Sequence, residues 1–249
     1  MTEKTKNPSV NIVIPVYNEE RELSENVTKL RQYLGTHLTD FFWRISIADN
    51  ASTDRTLTLA RKLAKRFPEI AVVHVDKKGR GRAVKYVWQK DDADIQAYMD
   101  VDLSTDLKHF PPLVRSLTRG FDIAIGTRNS WKSRVHGRSV LRTITSKAYI
   151  ALIKVFFWVH FSDAQCGFKA VTRRFVDELI PRIKDNEWFF DTELLIMAEK
   201  MGYRIYQEPV TWVDNPGSTV RVMKTALGDL AGLKRLFLTR PWRTQYGRH

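Results

Sequence analysis

A single cysteine, Cys166, stands among 249 residues, so no internal disulfide staples the fold and a reducing compartment suits the chain. No apolar run is long enough to cross a bilayer. The best stretch, residues 148–161, carries Lys154 and reaches ~21 Å as a helix at ~1.5 Å per residue, against a hydrocarbon core of ~30 Å. Residues 1–9, MTEKTKNPS, lack the apolar core of a signal peptide, which points to a cytoplasmic protein. No stretch rich in Gly, Ser or Pro divides the chain and no repeat recurs, so it reads as one domain. The most local absence is of acid. Between Asp122 and Asp163 there is none, while Arg128, Lys132, Arg134, Arg138, Arg142, Lys147 and Lys154 all fall there. A merely solvated face mixes signs, so this segment reads as one that meets anions.

Apolar residues make up 43% of the chain, enough for an ordinary core, and the net charge is +13. Short apolar runs at 10–16, 43–49, 70–75, 95–100 and 121–127 read as strands, several apolar throughout as in parallel strands covered on both faces. Helical spacing falls between them, from Glu19 to Leu38, Thr53 to Phe67, Arg82 to Gln89 and Leu107 to Leu117, with Ser52, Thr53 and Asp54 placed to cap the second. The alternation predicts an α/β fold with a mostly parallel central sheet flanked by helices. Beyond Thr127 the rhythm changes to a basic loop, a helix within 141–161, a helix over 189–202, a strand over 203–213 and a basic amphipathic C-terminal segment.

Polar clusters close all five strands: PVYNEE, ADNASTD, DKKGRGR, DVDLSTD and GTRNS. That edge is where open α/β sheets bind ligands. Asp100 and Asp102, two apart after an apolar strand, repel one another unless a hard divalent cation such as Mg²⁺ or Mn²⁺ joins them, with a diphosphate completing its shell. The competing reading makes Asp102 or Ser104 a turn residue capping the helix at Leu107, and D-x-D by itself does not decide between the two. Cys166 reads as a packing residue. His109, His136 and His160 lack ligand spacing and read as loop or surface residues.

Taken together, IVIPVYNEE, ADNASTDRT, GRGRAVKYVW, DVDLSTD, GTR and DAQCGFKAVTRR, spread over 10–221, resemble family 2 glycosyltransferases. Within that family they resemble the dolichyl- and polyprenyl-phosphate glucosyl- and mannosyltransferases. GFK after DAQC, followed by WFFDTELL, is more similar to the glucosyl branch. The resemblance implies a GT-A fold, Rossmann-like, with C-terminal amphipathic helices. Residues 1–127 would bind nucleotide-sugar, 128–218 would bind acceptor, and 219–249 would form the basic amphipathic end. Pro15, Tyr17, Glu19, Asp49, Gly79 and Arg80 match nucleotide-contacting positions. Asp100 and Asp102 match the metal and diphosphate pair, and Arg128 and Arg142 the residues gripping acceptor phosphate. The implied reaction is inverting transfer of a hexose, glucose from UDP-glucose, to a polyprenyl phosphate, with Mg²⁺ or Mn²⁺ as cofactor.

Departures from the family pattern narrow the match. Asn50 and Ala51 replace the second acid and the glycine of the usual DDGS. Ser104 stands where mannosyl enzymes carry Gln, Asp214 where they carry Arg, and Thr219 where they carry Lys, so Arg221 is left to supply that charge. A polyprenyl phosphate is already anionic, so its attack needs positioning and charge neutralisation more than proton removal. Asp163 stands among the catalytic candidates, with Asp191 and Glu193, as an orienter of sugar hydroxyls or a base; Glu193 reads equally well as an exposed helix acid. Residues 148–161 and the C-terminal segment read either as helices packed on the domain or as interfacial helices, and a long-chain acceptor favours peripheral attachment to an anionic membrane surface. That leaves room for a membrane-embedded partner. The rival readings are another donor (GDP-mannose or a UDP-N-acetylhexosamine), a non-lipid acceptor, a basic nucleic-acid-binding protein and a non-catalytic membrane scaffold. No nucleic-acid recognition module is present, and acidic strand ends repel nucleic-acid phosphate.

Overall fold

In a computed structural model, residues 7–214 and 222–243 are described. The first half alternates as the pattern predicts. The strands are β1 (Ser9–Val16), β2 (Phe42–Asn50), β3 (Ile70–Val75), β4 (Ile95–Met99) and β5 (Ile123–Thr127). Between them lie α1 (Leu23–His37), α2 (Thr56–Arg66), α3 (Arg80–Lys90) and α4 (Phe110–Leu117). Several boundaries move. α1 begins at Leu23 rather than Glu19. Asp106, neither Asp102 nor Ser104, caps the 3₁₀ turn Leu107–His109 that leads into α4, accepting from the Lys108 amide. Asp54 accepts from the Thr56 amide at 2.9 Å at the start of α2.

β1 shows why these strands are apolar throughout. Ile12 and Ile14 enter one core layer, with Val27 and Leu30 of α1 and Phe110 and Leu113 of α4. Val13 enters the opposite layer, with Val84 and Trp88 of α3. Helices cover both faces, so neither parity of the strand is free to be polar. One polar rung is tolerated because it is satisfied: Asn11 donates to Gln96 Oε1 at 2.9 Å and accepts from Ser46 Oγ at 2.7 Å, tying β4, β1 and β2 together.

The second half contributes β6 (Arg134–His136), α5 (Val140–Phe157), β7 (Phe168–Thr172), α6 (Arg173–Leu179), α7 (Phe190–Lys200), β8 (Ile205–Pro209), β9 (Thr211–Val213) and α8 (Val222–Thr239). The strand expected over 203–213 is two strands broken at Val210. β8 joins the main sheet, while β9 pairs with β6 in a separate two-stranded sheet. β7 lies in a stretch to which the sequence pattern assigns no element. It enters antiparallel between β4 and β5, giving the order β3-β2-β1-β4-β7-β5-β8. α7 is buried from Phe190 to Ala198 and forms the centre of one layer.

Topology places the site. The chain steps outward from β1 to β2 and β3, then returns to lay β4 on the other flank of β1. The carboxyl ends of β1 and β4 therefore flank a switch point, where neighbouring loops part and leave a crevice.

Candidate active site at the carboxyl edge of the sheet

β4 ends at Met99, and Asp100 and Asp102 follow in a tight turn that holds Leu103 at φ +48°, a left-handed conformation that costs a branched residue strain. They line a cleft with Ser104, Gly167 and Trp212. Asp102 accepts from the Ser104 amide at 3.0 Å. Asp100 receives Arg80 Nη2 at 2.6 Å. Arg80 also reaches Asp191 at 3.2 Å and lies 4.9 Å from the Trp188 ring. Burial depresses the Arg80 pKa, but Asp100, Tyr98 and Asp191 more than offset it, and the net shift is upward. Asp191, expected to face sugar, is instead buried at the hub of this network. It takes Lys169 Nζ at 2.8 Å and the Tyr98 hydroxyl, while Lys169 itself is wholly buried and also donates to the Cys166 carbonyl at 2.6 Å.

Gly167 makes the arrangement possible. A Cβ there would meet Asp100 Oδ2 at 1.9 Å and Arg80 Nη2 at 2.4 Å, so the backbone beneath the aspartate admits hydrogen only. Gly79 (φ +151°) opens α3, and its amide donates to Asn50 Oδ1 at 2.8 Å. Asn50 thus spends its side chain on the glycine turn. Ala51 holds φ +59°, the left-handed conformation that the glycine of the usual pattern adopts freely.

Around the crevice, Asp49 is fully buried. Its Oδ2 pairs with His74 Nδ1 at 2.6 Å, and its Oδ1 has no partner among the described residues. His74 carries no sequence signal of its own. Its place is set by the register of β3 against β2, which puts it directly across from Asp49. Pro15 stands near the end of β1 and Tyr17 follows the strand, with Lys78 Nζ 3.5 Å from the centre of the Tyr17 ring. Glu19 has its pKa raised to about 7, first by burial and then by Glu22, Asp102 and Asp100. Burial also raises Asp100, with Asp102 and Asp191 adding to the shift against Arg80. Glu19, Asp100 and Asp102 therefore form one like-charged group. Hard oxygen donors under mutual repulsion fit a divalent cation. Among the described residues no group of three His, Cys, Asp or Glu side chains could by itself hold a metal ion, so an ion on Asp100 and Asp102 would need oxygens from a ligand as well.

Arg128 follows β5. Its Nε and Nη2 grip Asp163 at 2.8 and 2.9 Å, and Asp163 is only 2% exposed. Burial pushes Asp163 up, but Arg128 prevails and holds it below the usual carboxylate range. A carboxylate so paired is a poor base, which speaks against that one of its two foreseen roles, orienter of sugar hydroxyls or base; the contacts it makes fix Arg128. Arg142, on α5, spends Nη1 on both oxygens of Asp214, at 2.6 and 2.7 Å. Arg138 went unassigned in the sequence. It has no carboxylate partner among the described residues, lies 5.9 Å from the Trp212 ring, and has its pKa lowered by burial and then by Arg128. Arg128 itself lies 5.4 Å from the same ring. Arg221 lies outside the described residues.

Two further expectations change. Glu193 is no exposed acid: it is fully buried, accepts from the amides of Lys184 and Asp185, and pairs with Arg235 of α8. His109 is half-buried, bonded to Glu208 at 2.9 Å and accepting from the Thr211 amide. His136 and His160 are exposed. Cys166 is buried and its thiol is pushed up to about 12 by that burial, which suits packing and not nucleophilic attack.

With this geometry in hand, the similarities are specific. The family model described as "Glycosyl transferase family 2" matches residues 11–180. Glycosyltransferase AglD of Haloferax volcanii is 33% identical over 222 residues, 88% of this chain and 35% of AglD, so the chain spans about a third of that relative. Dolichyl-phosphate beta-glucosyltransferase of Saccharomyces cerevisiae is 27% identical over 263 residues, covering 93% of this chain and 74% of the yeast protein. Among solved structures, glucosyl-3-phosphoglycerate synthase from Mycobacterium tuberculosis, in complex with Mn²⁺, UDP and phosphoglyceric acid, superposes with a TM-score of 0.68 at 17% identity, over 96% of this chain and 80% of that one. That likeness is one of fold, the mostly parallel sheet flanked by helices.

Proposed function

Because the chain belongs to glycosyl transferase family 2, we propose that it moves glucose from UDP-glucose to a polyprenyl phosphate of the dolichyl type, inverting the anomeric carbon. The observation that carries this reading is a meeting at Trp212: Asp100 and Asp102 line a cleft with it, the guanidinium groups of Arg128 and Arg138 lie over its ring, and the apolar flank of α5 follows Arg138 in the chain. Relatives named dolichyl-phosphate beta-glucosyltransferase support the acceptor and the sugar.

In this mechanism the nucleotide lies along the ends of β1, β2 and β4. The unpartnered Asp49 Oδ1 accepts from the base, Pro15 and Tyr17 border it, and Gly79 and Arg80 flank the diphosphate. Asp100 and Asp102 would hold a Mg²⁺ or Mn²⁺ ion, whose Lewis acidity stabilises the departing diphosphate. Arg80 is so placed that its charge passes from Asp100 toward diphosphate oxygens as the donor enters. Arg128, locked by Asp163, and Arg138, without a carboxylate, grip the acceptor phosphate. Guanidinium forks match its oxygens, and the phosphate attacks without a general base. Arg142, one nitrogen of which is tied to Asp214, borders that site.

The acceptor is a membrane lipid, and the flank suits one. Along α5, Leu141, Ile144, Ala148, Ala151 and Val155 lie exposed on one helical face, with Leu141 71% exposed. On α8, Leu227, Leu230 and Leu238 are likewise exposed. No helix among the described residues is long and apolar enough to cross a membrane. We therefore place the chain as a peripheral protein on the cytoplasmic face, with this flank at the headgroups. The test is transfer from a panel of nucleotide-sugars to a short-chain polyprenyl phosphate and, in parallel, to water-soluble phosphomonoesters. UDP-glucose with the isoprenoid is expected to give product. Transfer only to the soluble acceptors would discard the lipid reading, and preference for a GDP- or N-acetylhexosamine donor would discard the sugar.

A further inference from the structure

α5 and α8 end side by side, and between their last turns lies a cavity of about 270 Å³. That is room for about nine waters at ~30 Å³ each. None of its lining residues lines the cleft of Asp100. Its wall is aromatic and interlocked: Phe237 stands edge-on to Phe156 at 5.7 Å, and Phe157 edge-on to Trp242 at 6.0 Å. Its rim is cationic, with Lys200, Arg240 and Arg243. Lys200 and Arg240 donate to the carbonyls of Trp158 and Phe237. None of the three has a carboxylate partner among the described residues.

Both helices close on left-handed residues, Trp158 at φ +54° and Arg240 at φ +41°. Glycine takes that conformation without strain, yet an 81% exposed tryptophan and an arginine occupy it. Both residues line the cavity, and such local strain is the kind that a binding site repays.

We propose that this cavity binds one acidic phospholipid, its phosphate on Arg240, Arg243 and Lys200 and its first acyl carbons against Phe156, Phe237 and Trp242. Charge selects the occupant. Three cations without carboxylates fit an anionic headgroup and not a zwitterionic one, whereas residues 244–249 carry Arg248 and His249 and no acid. The proposal rests on the reading that the α5 and α8 flank meets a bilayer, and not on the transfer reaction.

The test uses dihexanoyl phosphatidylglycerol below its micellar concentration, titrated into the full chain and followed by tryptophan fluorescence, with dihexanoyl phosphatidylcholine alongside. Wild type is expected to bind one phosphatidylglycerol saturably and to ignore phosphatidylcholine. Arg240→Gln with Arg243→Gln should weaken binding about thirtyfold, roughly fivefold per cation. Lys147→Gln with Lys154→Gln, which removes equal charge from α5 outside the cavity, should leave it unchanged. Trp158→Gly should weaken binding while its Tm holds or rises, because the left-handed strain is released. Equal binding of both lipids, or equal loss in the two charge pairs, overturns the site. So does a change of sedimentation in the Arg240/Arg243 pair, which would make the cavity a contact between chains. Transfer to a short-chain acceptor without lipid is read separately. Its absence in wild type would sink the reaction proposed above while leaving this site standing.

Discussion

The ends of β1–β4 and the α5–α8 flank are built on opposite economies of charge. At the strand ends, cations and acids are matched over long sequence distances: Arg80 with Asp100 and Asp191, Lys169 with Asp191, His74 with Asp49. What is left over is negative, in Glu19 and Asp102. On the flank what is left over is positive, in Arg138, Lys200, Arg240 and Arg243, beside apolar side chains in water. In the proposed function the first region takes a cation and a diphosphate, and the second takes anions attached to hydrocarbon. Both leave charge unpaired at the point where a ligand completes it. The matched pairs behind it hold the unpaired groups in place, and removing one partner of a buried pair costs far more than removing an exposed charge.

The comparison can be broken most severely at the acidic end. Asp102→Ala should cut transfer about a hundred- to a thousandfold with little change in Tm, the usual scale for removing one electrostatic stabiliser of a transition state; radiolabelled UDP-glucose measures it. A variant that keeps its rate would detach the aspartates from the chemistry.

Next comes the support beneath them. Gly167→Ala places a methyl group where Asp100 Oδ2 and Arg80 Nη2 now lie. We expect transfer to fall about a hundredfold, as misplacement by an ångström does, with far-UV circular dichroism unchanged. Unaltered transfer would show that Asp100 has slack.

On the basic side the expected effect is smaller and confined to one substrate. Arg138→Ala should raise the acceptor KM about tenfold, the value of one charge-assisted hydrogen bond, and leave the donor KM alone. If Arg142→Ala does this and Arg138→Ala does not, the grip belongs to α5.

The smallest effect concerns how α8 docks. Asp229 is buried on α8, accepts from Gln165 Nε2 at 2.8 Å, and has its pKa raised to about 6 by burial. A raised carboxyl favours the protonated folded state. Its stabilising contribution is therefore present below about pH 4 and lost as pH rises through about 6. Asp229→Asn should have a higher Tm than wild type at pH 8, and the gap should close by pH 4. A constant gap would mean that Asp229 titrates normally.

How much of this was legible in the sequence follows the same division. β1, β2, β4 and β5 were visible because burial on both faces writes itself into consecutive residues, β3 at the sheet edge showed through its short β-branched run, and the polar clusters that follow the strands lie at the carboxyl edge of the sheet. β7 was not, since Lys169 interrupts its apolar run, and only Asp191, Tyr98 and the Cys166 carbonyl, brought from elsewhere, make a lysine admissible there. The break of 203–213 at Val210 depends on a partner, β6, that no local pattern announces. The family motif singled out Asp100, Asp102 and Arg128, which the fold brings near Trp212. It could not show that Asp163 serves Arg128, that Glu193 holds α8 through Arg235, or that Arg138 is left without a carboxylate, because each depends on a contact between distant segments. A basic run reveals surplus charge but not which of its members is spent.

The central claim is tested most directly by incubating the protein with UDP-glucose, a short-chain polyprenyl phosphate and Mn²⁺, with and without a chelator, and following UDP release and glycolipid by mass spectrometry. The account predicts equal amounts of UDP and glucosyl phospholipid, both abolished by the chelator. Glycolipid formed at full rate with the ion removed, or no transfer under any of these conditions, would contradict it.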